Sequence, residues 1–196
     1  MLRRSLLTSA IAASLLTTFS LPAFATQVYE TDLVIIGGGL SGLAAAQSAV
    51  DQGAKPIVLE KEAALGGGGN FPEGSLGVGT RYQKEHNINT TVDQVLIAAL
   101  QYHHYRADPH VLRVLIEESG KTIDWVMDNV AQMRGIRTMY PKDESLMTWH
   151  LFKGGAAGII QRFAKEVRAK GGTILTETPA KKLIVENGKV VGVEAV

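Results

Sequence analysis

Glycines at fixed spacing are the residues of this 196-residue chain with the clearest capacity to hold a reactive group. Gly37, Gly39 and Gly42 form a G-x-G-x-x-G pattern between an apolar run and an alanine-rich stretch. In such a turn the first glycine permits a tight bend, the second lets the backbone approach a pyrophosphate at a helix N-terminus, and the third allows close helix packing. Glu60 follows at the distance of an acid that accepts hydrogen bonds from an adenosine ribose and repels a 2′-phosphate. The pattern predicts a dinucleotide site.

A second glycine run, Gly66–Gly69, follows closely, although one glycine turn is enough for one pyrophosphate. Its backbone N–H groups and the amide of Asn70 can contact a second part of an extended ligand, and Gly74, Gly77 and Gly79 keep that path open. This predicts FAD, which is longer than a nicotinamide dinucleotide. Two alternatives stay open: an NAD-dependent dehydrogenase, which explains the first turn but not the second run, and a flexible surface loop.

A parallel sheet with flanking helices would position these residues. The apolar run Asp32–Ile36 predicts a strand buried on both faces, Gly42–Gln52 a helix, and Pro56–Glu60 a second strand. Together they predict one right-handed βαβ unit. The stretch Ala63–Asn89 is glycine-rich, aperiodic and polar, so it predicts a binding loop.

Helices and a hairpin are predicted after this loop, which makes the fold class α/β. A capping box opens a helix from Thr91 to about Tyr105, and Asp108-Pro109 opens the next, with a break near Gly120. The remaining elements are a helix over Gly158–Lys170, a strand at "TILTET", and an antiparallel hairpin that turns at Asn187-Gly188.

Composition excludes several classes of chemistry. The chain has no cysteine, which excludes disulfides, thiolate-bound iron–sulfur clusters, a c-type haem attachment motif and a cysteine nucleophile. Electrons must therefore come from another molecule. His103 and His104 are adjacent and point in different directions on a helix, so no metal site is predicted. The formal net charge is +1, or −1 without Arg3 and Arg4, and no nucleic-acid partner is expected.

The N-terminus has the layout of a cleavable export signal. Residues 1–25 combine a basic start, an apolar middle and Ala23-Phe24-Ala25, so we expect a signal over 1–25 and one domain over 26–196. The apolar run Leu6–Phe19 is too short to span a bilayer, and no stable membrane span is predicted. Arg3-Arg4 resembles the start of a twin-arginine signal, which carries folded proteins, so the expected location is the periplasm.

The segments "DLVIIGGGLSGLAAA", "VLEKEAALGGGGN", "TIDWV", "HLFKGGAAGIIQ" and "TPAKKLIVENGKVVGVEA" resemble the FAD-binding flavoproteins of the fumarate reductase and succinate dehydrogenase type, including soluble exported fumarate reductases. The resemblance implies a Rossmann-like FAD-binding domain, with a parallel βαβ core, surrounding helices and an antiparallel hairpin, incomplete relative to the family. It also implies which residues bind the pyrophosphate, the ribose, the flavin side and the adenine of FAD. These cofactor-binding residues are Gly37, Gly39, Ser41, Gly42, Glu60, Gly68, Gly69, Asn70, Gly77 and Ala180.

The resemblance also implies an activity. An FAD-dependent oxidoreductase of this type transfers hydride between flavin N5 and an unsaturated carboxylic acid, with an external electron donor such as a cytochrome or a quinol-linked protein. The second glycine segment contains no histidine, so the FAD should be bound without a covalent bond. The family's catalytic arginine and substrate-binding residues have no match here, so the catalytic residues are unknown, and a non-catalytic flavin-binding fragment is an alternative. His150 falls where the family has a histidine near the flavin side, and either a functional or a packing role is open.

Overall fold

The computed structural model describes residues 27–139 and 146–196. The chain divides into two compact units, Met1–Glu30 and Thr31–Val196. Of the first unit, the structure describes residues 27–30, all of them exposed. The predicted export signal over 1–25 lies outside the described residues. The second unit contains all the elements described below.

The second unit contains both strands and helices. The described strands are β1 (Leu33–Ile36), β2 (Pro56–Leu59), β3 (Gly74–Leu76), β4 (Met133–Thr138), β5 (Met147–Phe152), β6 (Thr173–Leu175), β7 (Ala180–Glu186) and β8 (Lys189–Ala195). The described helices are α1 (Leu40–Asp51), α2 (Arg81–Glu85), α3 (Val92–Tyr102), α4 (Pro109–Asn129) and α5 (Gly155–Ala169), with a 3-10 helix at Gly67–Asn70.

A three-stranded parallel sheet forms the nucleotide-binding part, with strand order β1-β2-β6. Leu33 pairs with Pro56 and Ile36 with Leu59, so β1 and β2 run side by side over their full lengths. Helix α1 connects them and packs with α5 against the sheet. In this core, Ala46 and Val50 of α1 meet Val58 of β2 and Val167 of α5. The predicted βαβ unit is confirmed.

The burial predicted for the first strand is not observed. All four residues of β2 are buried. In β1, Leu33 is 43% exposed and Ile36 is 57% exposed, so the prediction of a strand buried on both faces is wrong for β1. The reason is that β1 pairs with β2 alone among the described strands and forms an edge of the sheet.

A second, antiparallel sheet has the order β3-β5-β4. Its strand β3, together with helix α2 and the 3-10 helix, lies within Ala63–Asn89, so the prediction of an irregular loop there is wrong in part. Strand β3 has little β propensity of its own because it is short and begins with Gly74. It forms because Gly74 pairs with Leu151 and Leu76 with Trp149, which are distant in sequence.

Helix ends agree well with the predicted capping signals. Thr91 and Gln94 form the capping box of α3, and Asp108 accepts hydrogen bonds at the start of α4. The predicted break near Gly120 is wrong, since α4 continues to Asn129. Gly120 has another purpose: a β-carbon there would overlap the carbonyl oxygen of Val78, so the glycine allows close packing.

The C-terminal elements are largely as predicted. Helix α5 begins at Gly155, three residues before its predicted start. Strands β7 and β8 form the antiparallel hairpin, and Asn187 and Gly188 at its turn have φ of +50° and +76°. Positive φ at both positions is the requirement of a two-residue type I′ turn. Among the described helices, none has the length and apolar character needed to cross a bilayer.

Candidate functional site

The first glycine turn links β1 to α1 in a tight bend. The N–H of Gly37 donates to the carbonyl oxygen of Leu59 at 2.7 Å, and Gly37 has φ +103°. A β-carbon at Gly42 would overlap the carbonyl oxygen of Gly37. Both positions therefore require glycine for backbone reasons, before any ligand is considered.

Helix α1 begins at this turn without a side-chain cap. Gly39 is its N-cap residue, and no side chain accepts a hydrogen bond there. The first turn contains Leu40, Ser41 and Gly42 and no acidic residue, and Ser41 is exposed. The free N–H groups and the positive end of the helix dipole suit an anionic group such as a pyrophosphate.

Glu60 follows directly after β2 and is hydrogen-bonded to the first glycine turn. The residue is 7% exposed. One carboxylate oxygen accepts from the N–H of Gly38 at 2.7 Å, and the other accepts from the N–H of Glu62 at 2.9 Å. The Glu62 hydrogen bond lowers the pKa of Glu60, burial opposes it, and the Gly38 hydrogen bond adds to the lowering. The carboxylate stays ionised and retains lone pairs that can accept from a ribose hydroxyl.

The second glycine run lies directly against the first. Gly66 and Gly39 form a parallel β-bridge, and the N–H of Gly66 donates to the carbonyl oxygen of Gly38 at 2.8 Å. The side-chain amide of Asn70 donates to the carbonyl oxygen of Leu65 at 3.0 Å and so closes its own loop. Two segments that are separate in sequence thus form one surface of backbone.

Open space distinguishes some of these glycines from the others. A β-carbon at Gly37, Gly67 or Gly68 would meet no atom within 4 Å, and one at Gly39 would meet only the Gly66 carbonyl oxygen, at 3.6 Å. At Gly69, by contrast, it would lie 2.9 Å from Cγ of Leu40. The open group leaves room for a ligand to approach bare backbone. Gly69 is required by packing, and its predicted contact with cofactor stays a prediction.

Gly74, at the start of β3, and Gly77, just after its end, are also packed closely. A β-carbon at Gly74 would lie 2.5 Å from the carbonyl oxygen of His150, and one at Gly77 would lie 2.7 Å from Cε1 of the same ring. The N–H of Gly77 donates to the carbonyl oxygen of Thr148 at 2.9 Å. Gly77 is thus buried against β5, whereas Gly79 is exposed, with φ +76° and open space beside it.

The start of the hairpin lies near Glu60. The N–H of Glu60 donates to the carbonyl oxygen of Leu175, and the N–H of Thr178 donates to that of Glu60, both at 2.8 Å. Ala180, the first residue of β7, follows two residues later and is half-buried. The chain therefore brings the predicted adenine-side residue to the same end of the sheet as the predicted ribose-binding acid.

His150 lies in the middle of β5 and is completely buried. Burial lowers the pKa of His150, and hydrogen bonds to the backbone of Thr148 and Ser75 oppose the lowering. The residues that fix its surroundings are Thr80 and Gln83, which form a capping box at the start of α2. Sequence reasoning missed this box, although its T-x-x-Q spacing is a readable signal.

Two other features of the described residues add little to the candidate site. A cavity of about 400 Å³ beside the second glycine loop is lined by Leu65, Asn70, Ala157 and Arg168, among others, and Asn70 is the one predicted site residue in its wall. In the part of the chain that the structure describes, no three histidine, cysteine or carboxylate side chains come together as metal ligands.

The parallel βαβ unit with its glycine turn defines a dinucleotide-binding domain, and the second glycine loop is bridged to that turn. The chain belongs to the family of FAD-binding domains, whose model, described as "FAD binding domain", matches residues 32–196. Its cofactor is FAD, and the open backbone at Gly37, Gly39, Gly67 and Gly68 fits a group that needs close main-chain approach.

Relatives of this chain include reductases. It is 34% identical over 164 residues to a vinyl phenol reductase of Lactiplantibacillus plantarum, which covers 83% of this chain and 33% of that protein. It is 27% identical over 177 residues to an NADH:fumarate oxidoreductase of Klebsiella pneumoniae, covering 84% of this chain and 18% of that protein. The fold matches the open conformation of a flavocytochrome c3 fumarate reductase with a TM-score of 0.70 at 22% identity, over 84% of this chain and 30% of that one. The chain thus spans a third or less of these proteins.

Proposed function

We propose that this chain is the FAD-holding part of an oxidoreductase that reduces an activated carbon–carbon double bond. The observation that carries the proposal is the bridge between Gly39 and Gly66, which joins two glycine turns into one binding surface. The named substrates of the relatives, vinyl phenol and fumarate, support the reaction class. Both contain a double bond conjugated with an electron-withdrawing or aromatic group. Unsaturated carboxylic acids remain the first substrate class to test, and aryl alkenes are the second.

The residues of this chain bind and orient the cofactor. The uncapped N-terminus of α1, with Gly39 and Ser41, would hold the pyrophosphate, and Glu60 would accept from the ribose. Gly68, Asn70 and the segment at Gly77 would lie towards the flavin. When bound and reduced, FAD supplies hydride from N5 of its ring system. The FAD should be released intact by acid precipitation of the protein, because the segment Leu65–Thr80 offers no histidine for a covalent bond.

Proton delivery and substrate binding are not assigned to residues 32–196. Electrons would come from an external donor. A cytochrome or a quinol-linked protein is the proposed donor class. We also propose export to the periplasm, which N-terminal sequencing of the mature protein would test: a start near Thr26 supports it, and a start at Met1 refutes it.

A titration of the purified full chain with FAD and with NAD tests the proposal. We expect uptake of FAD, with a yellow protein, and no uptake of NAD. Gly39→Val should abolish flavin retention because its side chain would enter the open side of the turn, whereas Gly135→Val, at an open position of β4, should not. Colourless protein that binds NAD would refute the proposal.

A second candidate function is flavin binding without turnover, because no described residue is assigned to proton delivery or to substrate binding. A reduced dye as electron donor separates the candidates. Oxidation of the dye that depends on fumarate or on a vinyl phenol would establish a reductase. Retained FAD with no such oxidation would establish the flavin-binding role.

A further inference from the structure

The segment Gly77–Arg81 is held in place from two sides. On one side the N–H of Val78 donates to the hydroxyl of Ser119 at 3.0 Å, and the N–H of Arg81 donates to the Asp124 carboxylate at 3.0 Å. On the other side the N–H of Gly77 donates to the carbonyl oxygen of Thr148. The segment is therefore fixed between α4 and β5, and its backbone has little freedom.

Within this fixed segment Gly79 differs from its neighbours. Val78 and Thr80 are buried, and the N–H of each has an acceptor. Gly79 is exposed, and among the described residues its N–H has no acceptor. No atom lies within 4 Å of where its β-carbon would be. A rigidly held, exposed and unpaired amide is a hydrogen-bond donor whose direction is set before a ligand arrives, which lowers the entropic cost of binding.

His150 connects both sides of this frame through a directed chain of hydrogen bonds. Nδ1 lies 3.0 Å from the carbonyl oxygen of Thr148, and because a carbonyl only accepts, Nδ1 carries the proton. Nε2 of the neutral ring then accepts from the hydroxyl of Thr80 at 2.9 Å. The same hydroxyl oxygen accepts from the N–H of Gln83 at 3.1 Å and caps α2. The Thr80 hydroxyl also lies 3.4 Å from Oε1 of Gln83, a longer contact than the one to Nε2 of His150.

The ring of His150 also sets the position of Gly77 by contact. The site of a β-carbon on Gly77 lies 2.7 Å from Cε1 and 2.9 Å from Nδ1 of the imidazole. The backbone therefore lies directly on the ring. Thr80 is fixed by hydrogen bonding and Gly77 by packing, so a single side chain defines the two ends of the stretch that presents Gly79.

We propose that His150 is a positioning residue for the cofactor: through Thr80 and Gly77 it fixes the backbone at Gly79, which donates a hydrogen bond to the bound flavin. This inference rests on the proposed function, because it needs FAD in the site. It assigns His150 no contact with the reacting atoms. It also adds Gly79 to the cofactor-binding residues.

Matched substitutions in the full chain separate this role from simple core packing. In His150→Gln the side-chain amide reaches the Nε2 position and can still accept from Thr80, whereas in His150→Asn it reaches only the Nδ1 position. Thr80→Val removes the hydroxyl and keeps the shape, and Thr80→Ser keeps the hydroxyl. FAD dissociation constants are measured by titration, and the visible absorbance and circular dichroism of bound flavin are recorded at saturating FAD. Urea unfolding of each apoprotein measures stability separately.

We expect His150→Asn and Thr80→Val each to raise the dissociation constant for FAD about tenfold, the scale of one or two lost hydrogen bonds. His150→Gln and Thr80→Ser should stay within about threefold of the native chain. The double variant of His150→Asn and Thr80→Val should bind FAD no more weakly than either single variant, because both substitutions break the same connection. At saturation, the flavin spectrum should shift in His150→Asn, in Thr80→Val and in their double variant, and should stay unchanged in His150→Gln and Thr80→Ser.

Unchanged affinity and an unchanged spectrum at saturation in His150→Asn and Thr80→Val would overturn the inference. So would losses of affinity that merely follow the losses of apoprotein stability. If His150→Asn does not fold, the Thr80 pair decides the question, since valine and serine there leave the ring in place. A native chain that fails to bind FAD would refute the proposed function itself. A native chain that binds FAD, with variants that bind it equally well, would refute only the role of His150.

Discussion

Alanine at Gly68 tests whether the second glycine run faces a ligand. A β-carbon there would meet no protein atom within 4 Å, and Gly68 does not have a positive φ. The substitution should therefore leave the apoprotein intact, or stabilise it by about 0.4–1 kcal/mol through the smaller entropy of the unfolded chain. If FAD approaches the backbone at Gly68, the added methyl group occupies the space of the ligand. We expect the dissociation constant to rise at least tenfold, which corresponds to about 1.4 kcal/mol.

The assay combines urea unfolding of the apoprotein with titration of FAD followed by flavin fluorescence. Gly135→Ala is the matched control, because Gly135 in β4 is equally open and has no predicted contact with cofactor. The control should gain the same stability and keep its affinity. If Gly68→Ala binds FAD as tightly as Gly135→Ala, the open space at Gly68 is solvent, and the reasoning from glycine geometry to the cofactor site fails.

Three further predictions concern the frame of the site. Glu60→Gln should destabilise the apoprotein by about 1–3 kcal/mol, since an amide accepts at one oxygen only and cannot satisfy both Gly38 and Glu62; equal urea midpoints would contradict this. Gly42→Ala should destabilise the apoprotein, because the added methyl group would overlap the carbonyl oxygen of Gly37 in the turn. A lower midpoint of thermal unfolding without ligand would show this. Acid should destabilise the native chain in two steps. The lowered pKa of His150 contributes stability that is complete above its ordinary pKa of 6.5 and is lost as the pH falls towards the folded pKa. The lowered pKa of Glu60 contributes stability that is lost in the same way as the pH falls below its ordinary pKa of 4.5. Urea midpoints between pH 7 and 3 measure both steps, and their absence in His150→Gln and Glu60→Gln respectively assigns them.

Much of the nucleotide-binding unit is readable from sequence because its signals are local. The glycine turn at Gly37–Gly42, the strand β2 and the caps at Thr91 and Asp108 each depend on residues a few positions apart. The burial of β1 was not readable, because it depends on how many strands lie beside it.

The second sheet could not be predicted for the same physical reason. Strand β3 exists through its pairing with β5, and the two are separated by three helices in sequence. The contact between Thr80 and His150 likewise joins residues that no short motif relates. Sequence reasoning placed Gly77 near the cofactor but could not show that its missing side chain makes room for an imidazole.

The glycines of this domain answer two different physical requirements, and the distinction changes how a site should be inferred from them. Gly42, Gly69, Gly74 and Gly77 lack a side chain because other parts of the protein occupy its place. At Gly37, Gly67, Gly68 and Gly79 the protein leaves space where a side chain would be, and positive φ is what favours glycine at Gly37, Gly67 and Gly79. The second group, like Gly39, leaves backbone that a ligand can reach, and the first group brings that backbone into position. A glycine-rich stretch therefore identifies the neighbourhood of a cofactor, while the contacts themselves are selected by which of its glycines the fold leaves open.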